Sequence, residues 1–185
     1  MTVLETTRTV QALPDGAWSL DPAHSAVSFE TKHMGFATVR GRFKVISGKV
    51  VGGEEPALEG VVDTASVTTD EEQRDGHLLS PDFFDVERFP QATFRSTSFE
   101  QLPGGSVRFT GDLTLRGVTK EIDLTGFVVG TGTDPLGNER VGLELSGLID
   151  RNDFGVKWNA PLPSGGFLVG DQVRVVLDVS AVKEA

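Results

Sequence analysis

Hydrophobic and polar residues alternate along most of the chain after about residue 16. In one such segment Val27, Phe29 and Thr31 share a face, and the polar residues between them share the other. A period of two is typical of a half-buried β-strand. The same pattern predicts nine strands, near residues 17–20, 25–32, 36–51, 58–68, 91–99, 106–116, 119–131, 140–150 and 171–182.

Turn-forming residues separate these predicted strands. Gly and Pro occur together in residues 52–56, 102–105 and 134–138, between alternating segments. Such short connections favour antiparallel neighbours. Many short strands with one apolar face predict either a closed barrel or a sandwich.

The segment around residues 70–85 departs from the alternation. Thr69 and Glu72 have the spacing of a capping box at a helix N-terminus. Ser80 followed by Pro81 is a second helix-start signal. The sequence therefore predicts a short helix and a helical turn that cross between strands, with Phe83 and Phe84 as the apolar anchors.

The first 15 residues are polar, lack periodicity and end in a Pro-Asp-Gly turn. We expect residues 1–15 to form a disordered or loosely held tail. No repeat, low-complexity tract or linker interrupts the rest of the chain. Residues 16–183 are therefore expected to form a single domain.

The charge and the residue types exclude several classes of partner and chemistry. With 27 acidic against 17 basic residues the net charge is −10, which repels nucleic-acid phosphates, so no nucleic-acid partner is expected. The absence of cysteine excludes disulfides, thiolate metal sites and cysteine nucleophiles. No segment approaches the roughly 18 apolar residues of a membrane span, so we expect no stable membrane insertion.

Candidate catalytic and metal-binding residues are few. The three histidines, His24, His33 and His77, stand at no spacing typical of metal ligands. No G-x-S-x-G motif occurs, and we expect no catalytic residue, no metal site, no resident cofactor and no enzymatic activity. In a regular strand His33 shares the inward face of Phe29. There it is either a core histidine with a hydrogen-bond partner or a polar contact near the head of a bound ligand.

The aromatic residues leave two interpretations of the interior open. Phe29, Phe43, Phe94 and Phe109 recur on apolar strand faces whose neighbours include small residues such as Ser96. The interior of an eight-stranded barrel can be filled by side chains, or it can hold one small ligand when the lining residues are small. The pattern alone is compatible with a filled core and with a ligand cavity.

Several ordered motifs resemble those of the YceI-like proteins. Residues 18–29, WSLDPAHSAVSF, are similar to the opening of that family. Further motifs follow in the family's order, namely HMGF at 33–36, RDGHLLSPDFFD at 74–85, GDLTLRGVTK at 111–120 and RNDFG at 151–155. The resemblance covers about residues 17–182, and the number of motifs in order makes it specific.

The resemblance implies an all-β fold, an extended eight-stranded antiparallel lipocalin-like barrel that is often a homodimer. It also implies a long apolar ligand of polyisoprenoid, isoprenoid quinone or fatty-acid-like type in the interior. We therefore expect a protein that binds, stores or transports such a lipid. The alternatives are a lipid-acting hydrolase or isomerase that uses His33, and a stress or structural protein with a packed core.

The inward faces of the predicted strands and the family motifs together supply the candidate ligand contacts. They are Val27, Phe29, His33, Phe36, Phe43, Val45, Phe94, Ser96, Phe109, Leu113, Leu115, Val141, Leu143 and Leu145. Many members of the family are periplasmic. The N-terminal residues, with Glu5 and Arg8, lack the apolar core of a signal peptide. We therefore expect a cytoplasmic protein.

Overall fold

The protein is described by a computed structural model over residues 11–185. The nine predicted strands are confirmed, with boundaries that differ by at most two residues. The strands are β1 (Gly16–Leu20), β2 (Ala26–His33), β3 (Ala37–Gly52), β4 (Ala57–Thr68), β5 (Gln91–Gln101), β6 (Val107–Leu115), β7 (Val118–Thr133), β8 (Glu139–Asp150) and β9 (Val169–Lys183). One α-helix, α1 (Glu72–Leu79), lies between β4 and β5 in the described chain.

The sheet closes into an antiparallel barrel with eight strand positions. Neighbours run in the order β3-β2-β9-β8-β7-β6-β5-β4, and β4 pairs again with β3. The short strand β1 shares the position of β2, since both lie between β3 and β9. β1 pairs with residues 49–52 of β3, whereas β2 pairs with residues 37–43 of β3. The eight-stranded lipocalin-like barrel is confirmed, and the sandwich alternative is excluded.

One half of the barrel, the half that contains β1, is filled by side chains. We call it the packed half. Its members are 0–9% exposed and come from nearly every strand, as the alternation of apolar residues requires. They are Trp18, Val50, Leu58, Phe94, Val107, Phe109, Leu124, Val128, Val141, Leu143, Leu145, Val179 and Ala181.

Hydrogen bonds between two loops stabilise the end of the packed half. Arg140 donates hydrogen bonds to Asp21 at 2.8 Å and to Asp134 at 2.8 Å. Arg140 and His24 lower the pKa of Asp21 to about 2 through their hydrogen bonds. Hydrogen bonds from Arg140 and Asn138 hold the pKa of Asp134 well below its usual range. These contacts join the turn after β1 to the β7–β8 hairpin.

A cap formed by α1 and the turns at residues 80–89 covers the other end of the barrel. A second apolar cluster, made of Val67, Leu78, Phe83, Ile149, Phe154 and Val156, joins this cap to the strands. The short helix predicted near residues 70–85 is therefore present and ends at Leu79. The predicted turn follows it at residues 81–84, where the Ser80 carbonyl accepts a 3.0 Å hydrogen bond from the Phe83 N–H and the Ser80 hydroxyl accepts one of 3.3 Å from the Asp82 N–H.

The predicted capping box is wrong. Glu71, not Thr69, is the N-cap residue, and its carboxylate accepts hydrogen bonds from the backbone N–H groups of Gln73 and Arg74. Thr69 instead binds Asp75, because the Thr69 hydroxyl and backbone N–H both donate hydrogen bonds to the Asp75 carboxylate. Burial raises the pKa of Asp75, but the hydrogen bonds from Thr69 and Thr68 outweigh it, so the pKa lies below its usual value.

The expectation of a loose tail is wrong for residues 11–15. Gln11 forms a β-bridge with Val128, and Leu13 packs against the packed half. Gly52 permits this approach, because a Cβ atom there would lie 2.1 Å from the Pro14 carbonyl oxygen. Residues 1–10, to which the rest of the expectation applies, lie outside the described residues.

Candidate ligand-binding site

Three adjoining cavities run through the barrel from the capped end towards the packed half. The outer and middle cavities share five wall residues, and the middle and inner cavities share five others. Their volumes fall from about 440 Å³ to about 140 Å³ and about 80 Å³. We call this series of adjoining cavities the tube. Because the middle and inner cavities are small, only a slender group fits them.

The walls of the middle and inner cavities are apolar. Phe43 lines the middle cavity, with ring-centroid distances of 5.5 Å to Phe29 and 5.2 Å to Phe84. Aliphatic residues such as Val27, Val62, Leu113 and Val175 continue the wall inward. A charged or strongly polar ligand group would find almost no hydrogen-bond partner there, and burying it would be costly.

The outer cavity, in contrast, has polar residues at its edge. His33, Arg74 and His77 contribute to its wall, next to the aromatic side chains of Phe83 and Trp158. His77 is oriented by a 2.8 Å hydrogen bond to Asp82 and by edge contacts with Phe83 and Trp158. Among the described residues the His33 ring has no hydrogen-bond partner, so its nitrogens are available to a ligand.

Arg151 fixes the backbone beside the outer cavity, whose opening at the capped end we call the mouth of the tube. Its side chain is 5% exposed and makes five hydrogen bonds, of which four go to the carbonyls of Val156, Trp158, Val169 and Gly170. The fifth goes to Asp171. Burial lowers the pKa of Arg151, and the charges of Asp171 and Asp150 oppose that effect. Although Arg151 borders the middle cavity, its donors are used by the protein and do not face a ligand.

The structure brings eight of the candidate contact residues together along the tube. They are Val27, Phe29, His33, Phe43, Val45, Phe94, Leu113 and Leu115. His33 lies at the mouth and not among the apolar residues farther in. The reason is that His33 is the last residue of β2, so it keeps the inward face of Phe29 and Thr31 but lies at the outer end of the strand.

Four other candidates lie in the packed half instead of on the tube wall. Phe109, Val141, Leu143 and Leu145 point inward as expected, but each is only 0–2% exposed and packs against its neighbours. Alternation identifies the inward face of a strand. It does not identify the level along the barrel at which the interior is filled.

Phe36 and Ser96 are placed differently again. Phe36 is 73% exposed, at the end of a tight turn in which Met34 and Gly35 both have positive φ. Ser96 stands at an irregularity in the β5–β6 pairing, where its hydroxyl accepts a 2.9 Å hydrogen bond from the Leu58 backbone N–H. The Ser96 side chain is therefore engaged in this hydrogen bond to β4, and it is not among the residues that line the three cavities.

Several tube residues were not among the candidates. Val62, Ala92 and Val175 lie on inward strand faces, and the period-two pattern could have found them. Leu78, Phe83 and Trp158 come from the cap and from the segment before β9. That segment has no periodicity, so the sequence pattern carried no signal for Trp158.

Two further observations concern the described part of the chain only. Between residues 11 and 185 no helix combines the length and the apolar character that crossing a bilayer requires. Over the same residues no three His, Cys, Asp or Glu side chains gather in a geometry suited to a metal ion.

A closed eight-position barrel, packed at one end and entered by an apolar tube at the other, defines a lipocalin-like barrel protein. The model of the YceI-like domain matches residues 18–181. The chain therefore belongs to the YceI-like family, as the sequence motifs indicate.

Similar proteins support the assignment. Protein YceI from Shigella flexneri is 41% identical over 165 residues, which cover 87% of this chain and 83% of that protein. The Campylobacter jejuni YCEI protein is 29% identical with a TM-score of 0.69, and the match covers 83% of this chain and 90% of that chain. A polyisoprenoid binding domain from Saccharophagus degradans shares the fold at 19% identity, with a TM-score of 0.65 and coverage of 90% and 98%.

Proposed function

We propose that this protein binds one long apolar molecule in the tube and stores or transports it without changing it chemically. The observation that carries the proposal is the continuous apolar wall of the middle and inner cavities, open at a polar mouth. A polyisoprenoid, an isoprenoid quinone or a fatty-acid-like lipid has the matching form, a slender apolar chain with a polar head. The Saccharophagus degradans domain, which is described as polyisoprenoid binding, supports the same ligand class.

The free energy of such binding comes from the chain and not from the head. Each buried CH₂ group contributes about 0.8 kcal/mol. About ten methylenes thus contribute about 8 kcal/mol, which offsets a large part of the entropic cost of association. The head remains at the mouth, where we propose that His33 forms a hydrogen bond with it.

The proposal is tested by filling the tube at the junction of its middle and inner cavities. Ala92 is 8% exposed and lines both cavities. Ala92→Trp should weaken binding of a long prenyl alcohol, measured by titration calorimetry, by at least about tenfold, or about 1.4 kcal/mol. Ala92→Leu should have a smaller effect in the same direction, because it fills less of the tube.

The matched control for this titration is Leu148→Trp. Leu148 lies on β8 and is 66% exposed. A tryptophan there should leave binding unchanged, provided that circular dichroism shows both variants folded. If folded Ala92→Trp binds the alcohol as tightly as the unchanged protein, the ligand does not occupy the tube.

We propose in addition that the protein is a homodimer, as the family resemblance implies. The chain has a mass of 19.8 kDa. Light scattering during size-exclusion chromatography should give twice that mass. A single-chain mass at every concentration tested would contradict the dimer but would not affect the proposed binding.

A further inference from the structure

The inner end of the tube is formed by residues that also belong to the packed half. Leu58, Phe94, Leu124 and Val179 line the inner cavity, and all four are members of the packed cluster. We call these four residues the floor. Leu124 is only 1% exposed, and its β6 partner Phe109 is fully buried beside it. A ligand chain that reaches the floor meets close-packed side chains.

We propose that the floor acts as a ruler, which sets the longest apolar chain that the protein can bury. The inference rests on the proposed function and names the residues that decide its specificity. A barrel that was open along its whole axis would have no such limit. Here the filled interior beyond the floor supplies one, because inserting further methylenes into a close-packed core is unfavourable.

The length of the tube follows from strand geometry. On β9 the wall extends from Val169 at the mouth to Val179 at the floor. Two extra residues of β9 bulge out opposite Thr31 and His33, so the distance corresponds to about eight extended residues, or about 26 Å at about 3.3 Å per residue. Strands in barrels tilt by about 35–45° from the axis, which shortens the tube to about 20 Å. The ruler should therefore end the buried part of a chain at about that depth.

A limit of this kind has a measurable consequence in a series of straight-chain primary alcohols. Each methylene that is added inside the tube should raise the affinity about fourfold, the equivalent of about 0.8 kcal/mol. Once the chain spans the distance from mouth to floor, additional methylenes remain outside and add nothing. The plot of log affinity against chain length should rise and then level off at one chain length.

Truncating the floor should move the chain length at which the affinity levels off. Leu124→Ala removes three carbon atoms from the floor and opens the inner cavity towards the packed half. We expect the affinity to go on rising for about two or three more methylenes before it levels off. Val179→Ala is a milder truncation of the same floor, and it should produce a smaller shift in the same direction if Leu124→Ala does not fold.

Val141→Ala is the matched control for Val179→Ala. Val141 lies in the packed half, 1% exposed, and pairs with Ala181, two residues farther along β9 than Val179. Its truncation should destabilise the protein but leave the levelling point where it is. The affinities are measured by competition against a bound fluorescent fatty acid, with each alcohol as the competitor.

The outcomes separate the ruler from the proposed function. A levelling point that moves in the floor variants but not in Val141→Ala supports the ruler. Affinity that rises without levelling, or a levelling point that stays fixed in both floor variants, overturns the ruler while the binding function stands. If no alcohol of any length competes, the proposed function fails and the ruler fails with it.

Discussion

Replacing Arg151 with methionine should lower the free energy of unfolding by more than about 3 kcal/mol. The buried guanidinium donates to four backbone carbonyls and to Asp171, and among the described residues it is the only donor to the carbonyls of Val156 and Trp158. The Val169 and Gly170 carbonyls also accept hydrogen bonds from Asn159 and Thr31. Each buried acceptor that loses its partner costs about 1–3 kcal/mol. Methionine retains much of the side-chain volume but supplies no hydrogen-bond donor. The decrease in the free energy of unfolding therefore measures the hydrogen bonds and not the packing. Urea unfolding followed by circular dichroism gives the value.

Lysine at the same position should not restore the stability. An ammonium group has three donors on a flexible stem and cannot reproduce the planar fork that reaches five acceptors. Arg174→Met on the neighbouring strand is the control. That arginine is exposed, and within residues 11–185 its guanidinium donates only to Ser146, at 3.4 Å. Its replacement should therefore change the stability by less than about 0.5 kcal/mol. Equal effects of the two methionine variants would show that Arg151 is not a structural centre of the mouth.

Replacing Phe83 with alanine should destabilise the protein by about 3–5 kcal/mol. The ring is 8% exposed and joins the cap to the barrel. It packs at 5.0 Å from His77 and 5.5 Å from Trp158, measured between ring centroids. The substitution leaves a cavity between the cap and the segment around Trp158. That segment cannot move in to fill the cavity, because its backbone carbonyls are hydrogen-bonded to Arg151.

Phe36→Ala is the matched control for Phe83→Ala, because Phe36 is 73% exposed. Its stability should stay within about 0.5 kcal/mol of the unchanged protein. Thermal unfolding of both variants at neutral pH decides the matter. A loss below about 1 kcal/mol for Phe83→Ala would mean that the cap contributes little to the folded state, and the mouth would then have to be regarded as open.

The architecture was largely predictable because the barrel uses the simplest periodicity. Alternation on β2 and β9 gives both the strands and their inward faces, and the turn residues give their antiparallel order. Local signals around the cap were less reliable. Thr69 has the residue type and spacing of an N-cap, yet Asp75, six residues later, takes its hydroxyl. A competition between two hydrogen-bond partners is decided by the tertiary structure, not by the local pattern.

The site was predictable only as a set of inward residues. Phe43 and Phe109 have the same sequence character, but Phe43 borders the tube while Phe109 is fully buried in the packed half. The difference depends on how many large side chains from other strands meet at one level of the barrel. The alternation pattern of a single strand does not contain that information. The sequence pattern carried no signal for the role of Arg151, because its acceptors are backbone carbonyls that any residue type carries.

If the tube carries an apolar ligand, the purified protein should retain a lipid. The unchanged protein and Ala92→Trp are purified in parallel without detergent and extracted with organic solvent, and the extracts are quantified by mass spectrometry. We expect a long-chain apolar molecule at close to one per chain in the unchanged protein, and a marked loss of it in Ala92→Trp. Equal amounts in both proteins, or an unchanged protein that holds no lipid and takes up none when it is supplied, would contradict it.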